Sequence, residues 1–208
     1  MLIVDRSFGD IRKHKNTLAS LLGTGPDHII MLQQVHGDAI YEVTKPEPKA
    51  VKGYDAMITE KKDLYLAIKI ADCQAVTVRD TSRSIVANIH NGWRCSAKNI
   101  VGKTLKALIH SYGCIPENLQ IFISPSIGPC CAEFSQPRKE LPTALHTYIL
   151  ENNHVDFWLA TKDQCVATGV PEDNISLAEE CTVCNKNRYF SYRGDHKKTG
   201  RNGVIIWN

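Results

Sequence analysis

Leu64-Tyr65-Leu66-Ala67-Ile68-Lys69-Ile70, Ala75-Val76-Thr77-Val78 and Ile85-Val86-Ala87-Asn88-Ile89 follow one another with short polar breaks between them. Apolar runs of this length and β-branched content read as strands. Thr81-Ser82 is a hairpin connection between the last two. Directly afterwards, Ser96 to Tyr112 places Ile100, Val101, Leu105, Leu108 and Ile109 on one helical face, and Gly113 suits the position past its end. Strands feeding a helix set the class as α/β. Working outward, Ile29–Leu32, Ala39–Val43, Asp55–Thr59 and Gln120–Ser124 also read as strands. Residues 138–150 and 156–168 read as helices, the second ending at Gly169 with Pro171 just beyond. Residues 1–27 are mixed and polar and end in a turn signal, Gly23-Thr24-Gly25-Pro26.

One internal echo stands out. Gly113-x-x-Pro116-Glu117-Asn118-Leu119 and Gly169-x-Pro171-Glu172-Asp173-Asn174-Ile175 both read as helix, stop, acidic turn, strand. The echo admits two similar α/β halves. No linker or low-complexity tract separates them, so residues 1–208 read as one α/β unit.

Bulk composition narrows the function classes. Hydrophobic residues make up 43% and charged residues 23%, as in ordinary globular proteins. The net charge of +3 is small and spread out, which argues against nucleic acid as partner. No apolar run approaches the length of a membrane span, and Met1 to Arg6 lacks a signal-peptide core. The expected compartment is the reducing cytoplasm. There the eight cysteines (73, 95, 114, 130, 131, 165, 181 and 184) read as free thiols rather than a disulfide framework.

The residues that can do chemistry cluster by position. His36 lies past Leu32, Cys73 past Ile70, and His90 ends the run 85–89. Each therefore sits at the C-terminal end of a strand, where loops converge and sites are built. Two imidazoles and a thiolate make a three-ligand set. Catalytic zinc takes three protein ligands and keeps a position open. Asp72, beside Cys73, could orient a ligand or act as a base. In His90-Asn91-Gly92-Trp93-Arg94 a strand meets a helix. Free N–H groups and Arg94 there make an anion site, and Trp93 could stack on a flat ring. The same residues could equally be packed core.

Three further segments are less decisive. Ser126-Ile127-Gly128-Pro129-Cys130-Cys131 is a rigid turn that could wall a pocket. Cys181-Thr182-Val183-Cys184 is a lone CxxC without a second copy, so Cys181 and Cys184 read as non-ligands. Arg188 to Arg193 reads as a strand with alternating faces, followed by a turn bearing Arg201, which in a pocket would hold phosphate or carboxylate.

Taken together, these motifs resemble the laccase-domain family, also called multicopper polyphenol oxidoreductase or purine nucleoside phosphorylase-like proteins. The matching text is Gln33-Gln34-Val35-His36-Gly37, Asp55-Ala56-Met57-Ile58-Thr59, Ala71-Asp72-Cys73 and His90-Asn91-Gly92-Trp93-Arg94. Ser126 to Cys131, Phe190-Ser191-Tyr192-Arg193 and Thr199-Gly200-Arg201 follow in order. The resemblance implies an α/β fold of mixed sheets flanked by helices, with zinc on His36, Cys73 and His90. It implies phosphorolysis of purine nucleosides such as adenosine, inosine and guanosine. Adenosine deamination and methylthioadenosine phosphorolysis are attributed to members too. Catalytic roles would fall to His36, Cys73, His90 and Asp72, and substrate binding to Gln34, Arg94, Cys131 and Arg201, with purine nucleoside and phosphate as the partners.

The sequence departs from the family pattern in places. The Arg- and Gly-rich arm expected before Gly9-Asp10 is shortened. Asn91 replaces the usual Ala, Cys95 the usual Gly, and Gln74-Ala75 the usual Pro-Val. These changes line the expected site and bear on substrate preference. Three other functions stay open. A copper polyphenol oxidase could add Met31 or Met57, yet His14, His28, His110, His146, His154 and His196 form no H-x-H pattern. A metal-free hydrolase could use Cys73 with His90 or His36. A binding module without turnover is the last.

Overall fold

The strand run 64–91 forms the spine of the molecule. The computed structural model describes residues 1–208. Its elements are β1 (Leu2–Val4), α1 (Lys15–Leu22), β2 (Ile29–Gln33), β3 (Ile40–Glu42), β4 (Val51–Lys52), β5 (Ala56–Thr59), β6 (Tyr65–Ile70), β7 (Gln74–Asp80) and β8 (Val86–Asn91). Then come α2 (Trp93–Ala97), α3 (Ile100–Tyr112), β9 (Leu119–Ile123), α4 (Pro137–Glu140), α5 (Phe157–Val166), β10 (Ile175–Leu177) and β11 (Asn202–Ile206).

Two mixed sheets result, ordered β1-β11-β6-β2-β4 and β10-β9-β7-β8-β5-β3. The short turn after Ile70 carries the chain from the first sheet into the second, and it contains Asp72 and Cys73. Alternation along each strand sorts the side chains into layers. In β2, Ile30 and Leu32 enter the core shared by both sheets, while Ile29 and Met31 pack toward α1 with Leu18 and Ala19. In β8, Val86 joins the shared core, while Ala87 and Ile89 pack with Ile100, Leu105 and Leu108 of α3. The arrangement is thus four layers: α1, first sheet, second sheet, then α3 and α5. Asn88 has the parity of Val86 and ties the sheets together. Its Nδ2 donates to the carbonyls of Leu66 (2.8 Å) and Val204 (2.9 Å). His90 shares that parity and emerges at the end of the inter-sheet layer.

The mixed-sheet α/β expectation is met, with local differences. The helix expected over Ser96–Tyr112 is two helices. Asn99 adopts a left-handed conformation (φ 56°) and its side chain accepts from Gly102 N, capping α3 afresh. Residues 138–150 do not form one helix. Pro142 removes an N–H and pushes Leu141 into an extended conformation, so α4 stops and a 3-10 segment, Thr143–Tyr148, follows. Residues 188–193 form no strand. Their backbone groups bond to turns and side chains instead of a neighbouring strand: the Arg188 and Tyr189 N–H groups donate to Asn185 O, Asn202 pairs both polar groups of Phe190, and Asp72 takes the Arg193 N–H. Within the polar opening stretch lie β1 and α1, whose apolar faces are too short to show as periods. The internal echo is structural. Its two copies deliver β9 and β10 side by side and parallel in one sheet, and Asn174 Nδ2 of one turn donates to Glu117 O of the other.

Candidate metal centre and active site

The three candidate ligands converge. His36, Cys73 and His90 each offer a ligand atom, and these atoms lie within 4.8 Å of one another. Cys73 Sγ stands 4.0 Å from His36 Nε2, and the two imidazole rings meet edge to face with centroids 4.8 Å apart. A tetrahedral ion at Zn–S and Zn–N bond lengths sets such a pair roughly 3.5 Å apart, so the Cys73–His36 pair stands about half an ångström wider than a coordinated one.

Backbone geometry explains the convergence. His36 is left-handed (φ 59°) in the turn after β2, and the N–H groups of Val35, His36 and Gly37 all point at the Asp55 carboxylate (3.1, 3.0 and 2.7 Å). Asp55 is fully buried at the head of β5. His90 Nδ1 donates to the same carboxylate at 2.7 Å, and the His90 backbone N–H donates to Asp55 O, also at 2.7 Å. A carboxylate only accepts, so the Nδ1 proton is fixed and Nε2 is left for a metal. Asp72, also left-handed (φ 83°), shapes the turn that presents Cys73. Gly92 leaves the space that makes the cluster possible: a Cβ there would lie 2.8 Å from Cys73 Sγ and 3.2 Å from His36 Cδ2. The donor set and this close cradle fit a metal ion.

Electrostatics reinforce the set. Burial opposes charge on Cys73, but His90 and then His36 outweigh it and bring the thiol down to about 6. Burial likewise opposes charge on His90, but the Cys73 thiolate and Asp55 lift it well above its ordinary value. Burial would raise Asp55, yet His90 and the Gly37 amide hold it below the usual carboxylate range.

A cavity of about 300 Å³ opens beside the cluster, with His36 and Cys73 in its wall. Trp93, Phe134, Phe157 and Tyr192 supply its aromatic surface, Arg94 and Arg193 its cations. Trp93 meets Phe134 edge to face at 6.4 Å, and the Arg94 guanidinium lies 4.1 Å over Trp93. Asn91 is anchored through Nδ2 to Gln74 Oε1 and Thr161 Oγ1, both at 2.9 Å. Its Oδ1 is buried without a protein partner.

The other sequence candidates separate. Of the four substrate-binding candidates, Arg94 lines the cavity. The Gln34 side-chain amide pairs both ways with the Lys69 backbone (2.8 and 3.0 Å). Arg201 Nη1 is bound to the carbonyls of Thr199 and Gly200; burial and then Arg12 lower its pKa, against the pull of Asp10 first and then of Cys73 and Asp72. Cys131 Sγ faces Cys184 Sγ at 3.6 Å. The Asp72 carboxylate is occupied: it accepts from Thr182 Oγ1, Ser191 Oγ and Arg193 N, each at 2.7 Å. Sequence reasoning looked to Asp72 and passed over Asp55. The signal was a charged residue immediately ahead of a fully apolar strand, Ala56-Met57-Ile58.

A family model described as "Multi-copper polyphenol oxidoreductase laccase" matches residues 5–208. "Purine nucleoside phosphorylase YlmD" of Geobacillus stearothermophilus is 30% identical, covering 92% of this chain and 76% of the relative. A purine nucleoside phosphorylase of Bacteroides thetaiotaomicron is 28% identical, over 94% of this chain and 80% of the relative. "Adenosine deaminase RL5", from an unknown prokaryotic organism, is 27% identical, over 92% and 79%. The crystal structure of YlmD from Geobacillus stearothermophilus superposes with a TM-score of 0.86 at 28% identity, covering 99% of this chain and 84% of that one. The chain belongs to this multi-copper polyphenol oxidoreductase laccase family.

Proposed function

From that membership and the geometry above, we propose that this protein is a zinc-dependent purine nucleoside phosphorylase of the cytoplasm. The observation that carries the reading is the three-ligand cluster, oriented by Asp55, which presents His36 and Cys73 in the wall of an aromatic cavity. Its substrates are a purine nucleoside (adenosine, inosine or guanosine) and inorganic phosphate. Eight free thiols suit a reducing compartment.

His36, Cys73 and His90 hold the ion, which when bound supplies Lewis-acid chemistry at its open position. The remaining work falls to the chain's own groups. Trp93 and the facing aromatics offer flat surfaces to a purine. Asn91 Oδ1, lacking a protein donor, accepts an N–H from the base edge. Arg94 and Arg193 hold phosphate through charge-assisted bonds near the glycosidic carbon, where positive charge develops as the C–N bond breaks. Arg201, outside the cavity wall, adds positive potential at Cys73. Asp72 acts by position: it binds the 182 and 191–193 loops to the turn that presents Cys73.

Adenosine deamination is a second reading, favoured by the name of one relative and by the three-ligand set, which suits hydrolytic metal chemistry. Copper oxidation of phenols is disfavoured by the donors. None of the other six histidines joins a cluster of potential ligands, and Met31 and Met57 are packed in core. A metal-free thiol hydrolase at Cys73 and His90 would keep its activity in a chelator.

The test is chromatography of adenosine, inosine and guanosine after incubation with zinc-loaded protein, with and without phosphate. Free base together with ribose 1-phosphate, formed only when phosphate is present, is the expected result. Inosine from adenosine without phosphate would point to deamination instead. No conversion of any nucleoside in either condition would overturn the assignment.

A further inference from the structure

Outside the catalytic cavity, the fold assembles a second set of soft ligands. Cys130 and Cys131 come from the turn after β9, and Cys181 and Cys184 from the CxxC segment after β10. Their four sulfur atoms lie within 4.8 Å of one another. Cys184 Sγ stands 3.7 Å from Cys130 Sγ and 3.6 Å from Cys131 Sγ. Four sulfurs arranged tetrahedrally about zinc at a bond length of about 2.3 Å are roughly 3.8 Å apart. The two separations to Cys184 therefore match those of a coordinated pair and exceed the roughly 2.0 Å of a disulfide.

Bonds that do not involve the sulfurs bring the two segments together. Ser126 and Cys181 form a parallel bridge: Ser126 N donates to Glu180 O (3.2 Å), and Thr182 N donates to Ser126 O (3.0 Å). Gly128 allows the approach, since a Cβ there would lie 3.2 Å from Cys181 Cβ and 3.0 Å from the Trp158 ring. Gly128 N also donates to Cys181 Sγ at 3.3 Å, an N–H···S bond of the kind that favours a thiolate. Arg193 Nη1 donates to Cys131 O (2.7 Å), placing a cation beside a group that would carry net negative charge. The sequence shows a CxxC without its second half; the fold supplies that half from a Cys-Cys pair about fifty residues upstream.

We propose that Cys130, Cys131, Cys181 and Cys184 bind a second, structural zinc ion. The site is closed, with four protein ligands and no position for a reactant, unlike the three-ligand site at His36, Cys73 and His90. Its role is to staple two cavity-forming segments. Ile127 and Ala132, on either side of the Cys-Cys pair, line the catalytic cavity. Thr182, inside the CxxC, donates to Asp72 at the turn bearing Cys73.

The experiment is zinc content per chain on protein purified under reductant, joined to the visible spectrum of the cobalt-substituted protein. The expected content is roughly two equivalents in the wild type and roughly one in both Cys181→Ser/Cys184→Ser and His36→Ala/Cys73→Ser. The intense sulfur-to-cobalt bands of a four-thiolate site should persist in His36→Ala/Cys73→Ser and vanish in Cys181→Ser/Cys184→Ser. Cys130→Ser, at an exposed position, repeats the loss without disturbing buried packing. A wild-type content near one equivalent that disappears entirely with His36→Ala/Cys73→Ser would overturn the proposal. So would a disulfide among the four cysteines in the reduced preparation. Neither result depends on which nucleoside reaction the cavity performs.

Discussion

Replacing Asp55 with Asn should cost both stability and metal affinity, because one carboxylate organises two of the three proposed ligands. Oδ1 accepts from His36 N and His90 Nδ1, and Oδ2 from Val35 N and Gly37 N. An amide turns one of these oxygens into an N–H donor. Whichever way it is rotated, two N–H groups then face a donor. Orphaning buried donors and removing the charge opposite His90 costs about 3–5 kcal/mol. In a domain of this size each kcal/mol lowers the melting temperature by roughly 2–4 °C, so a drop of about 6–20 °C is expected in the metal-free protein. Loss of ligand orientation weakens zinc by about 10–100-fold. Thermal unfolding measures the first effect, and competition with a calibrated chelator the second. Asp72→Asn is the control: it should spare zinc affinity, since no Asp72 oxygen bonds to a ligand side chain. Equal zinc affinity in wild type and Asp55→Asn, or a larger loss in Asp72→Asn, would refute the assignment of Asp55 as the orienting group.

Other outcomes follow from the same geometry. Gly92→Ala has an ordinary backbone conformation (φ −79°) but sets a Cβ 2.8 Å from Cys73 Sγ; it should keep its fold by circular dichroism while losing zinc affinity by about tenfold or more in the chelator assay. In metal-free protein, Cys73 has a folded pKa of about 6 against an ordinary 9.0, so its stabilising charge is lost as pH falls through about 6. His90 is raised, so its contribution is lost as pH climbs through its elevated value. Alkylation of Cys73, followed by peptide mass spectrometry, should therefore rise through about pH 6 and be blocked by zinc; a midpoint near 9 would contradict this. Arg94→Ala should raise the KM for phosphate by roughly tenfold or more with a smaller effect on the KM for nucleoside. Unchanged phosphate dependence in steady-state kinetics would remove Arg94 from that role.

The strand spine was legible because its side chains are apolar on both faces: sheets buried between a second sheet and a helix layer produce continuous runs such as Ala67-Ile68 and Val76-Thr77-Val78. The convergence of His36, Cys73 and His90 was legible because strand ends concentrate such side chains. What stayed hidden depends on contacts distant in sequence. Asp55 looks like any turn carboxylate until Val35, His36, Gly37 and His90 are folded against it. Cys131 looks like a pocket thiol, and the CxxC looks solitary, until the Ser126–Cys181 bridge brings them together. Arg188–Arg193 alternates like a strand, yet its pattern reflects anchoring of single residues: Tyr189 on Glu180, Phe190 on Asn202, and Ser191 on Asp72. Pro142 was visible in the sequence and should have ended the helix at Leu141; the apolar spacing across it concealed the break.

Zinc K-edge X-ray absorption on Cys181→Ser/Cys184→Ser protein isolates the centre on which the functional reading rests. Two nitrogen scatterers at about 2.0–2.1 Å and one sulfur at about 2.3 Å, with a remaining light-atom ligand, is the predicted shell. A shell of sulfur alone, or one unchanged when Cys73 is replaced by Ser, would contradict coordination by His36, Cys73 and His90.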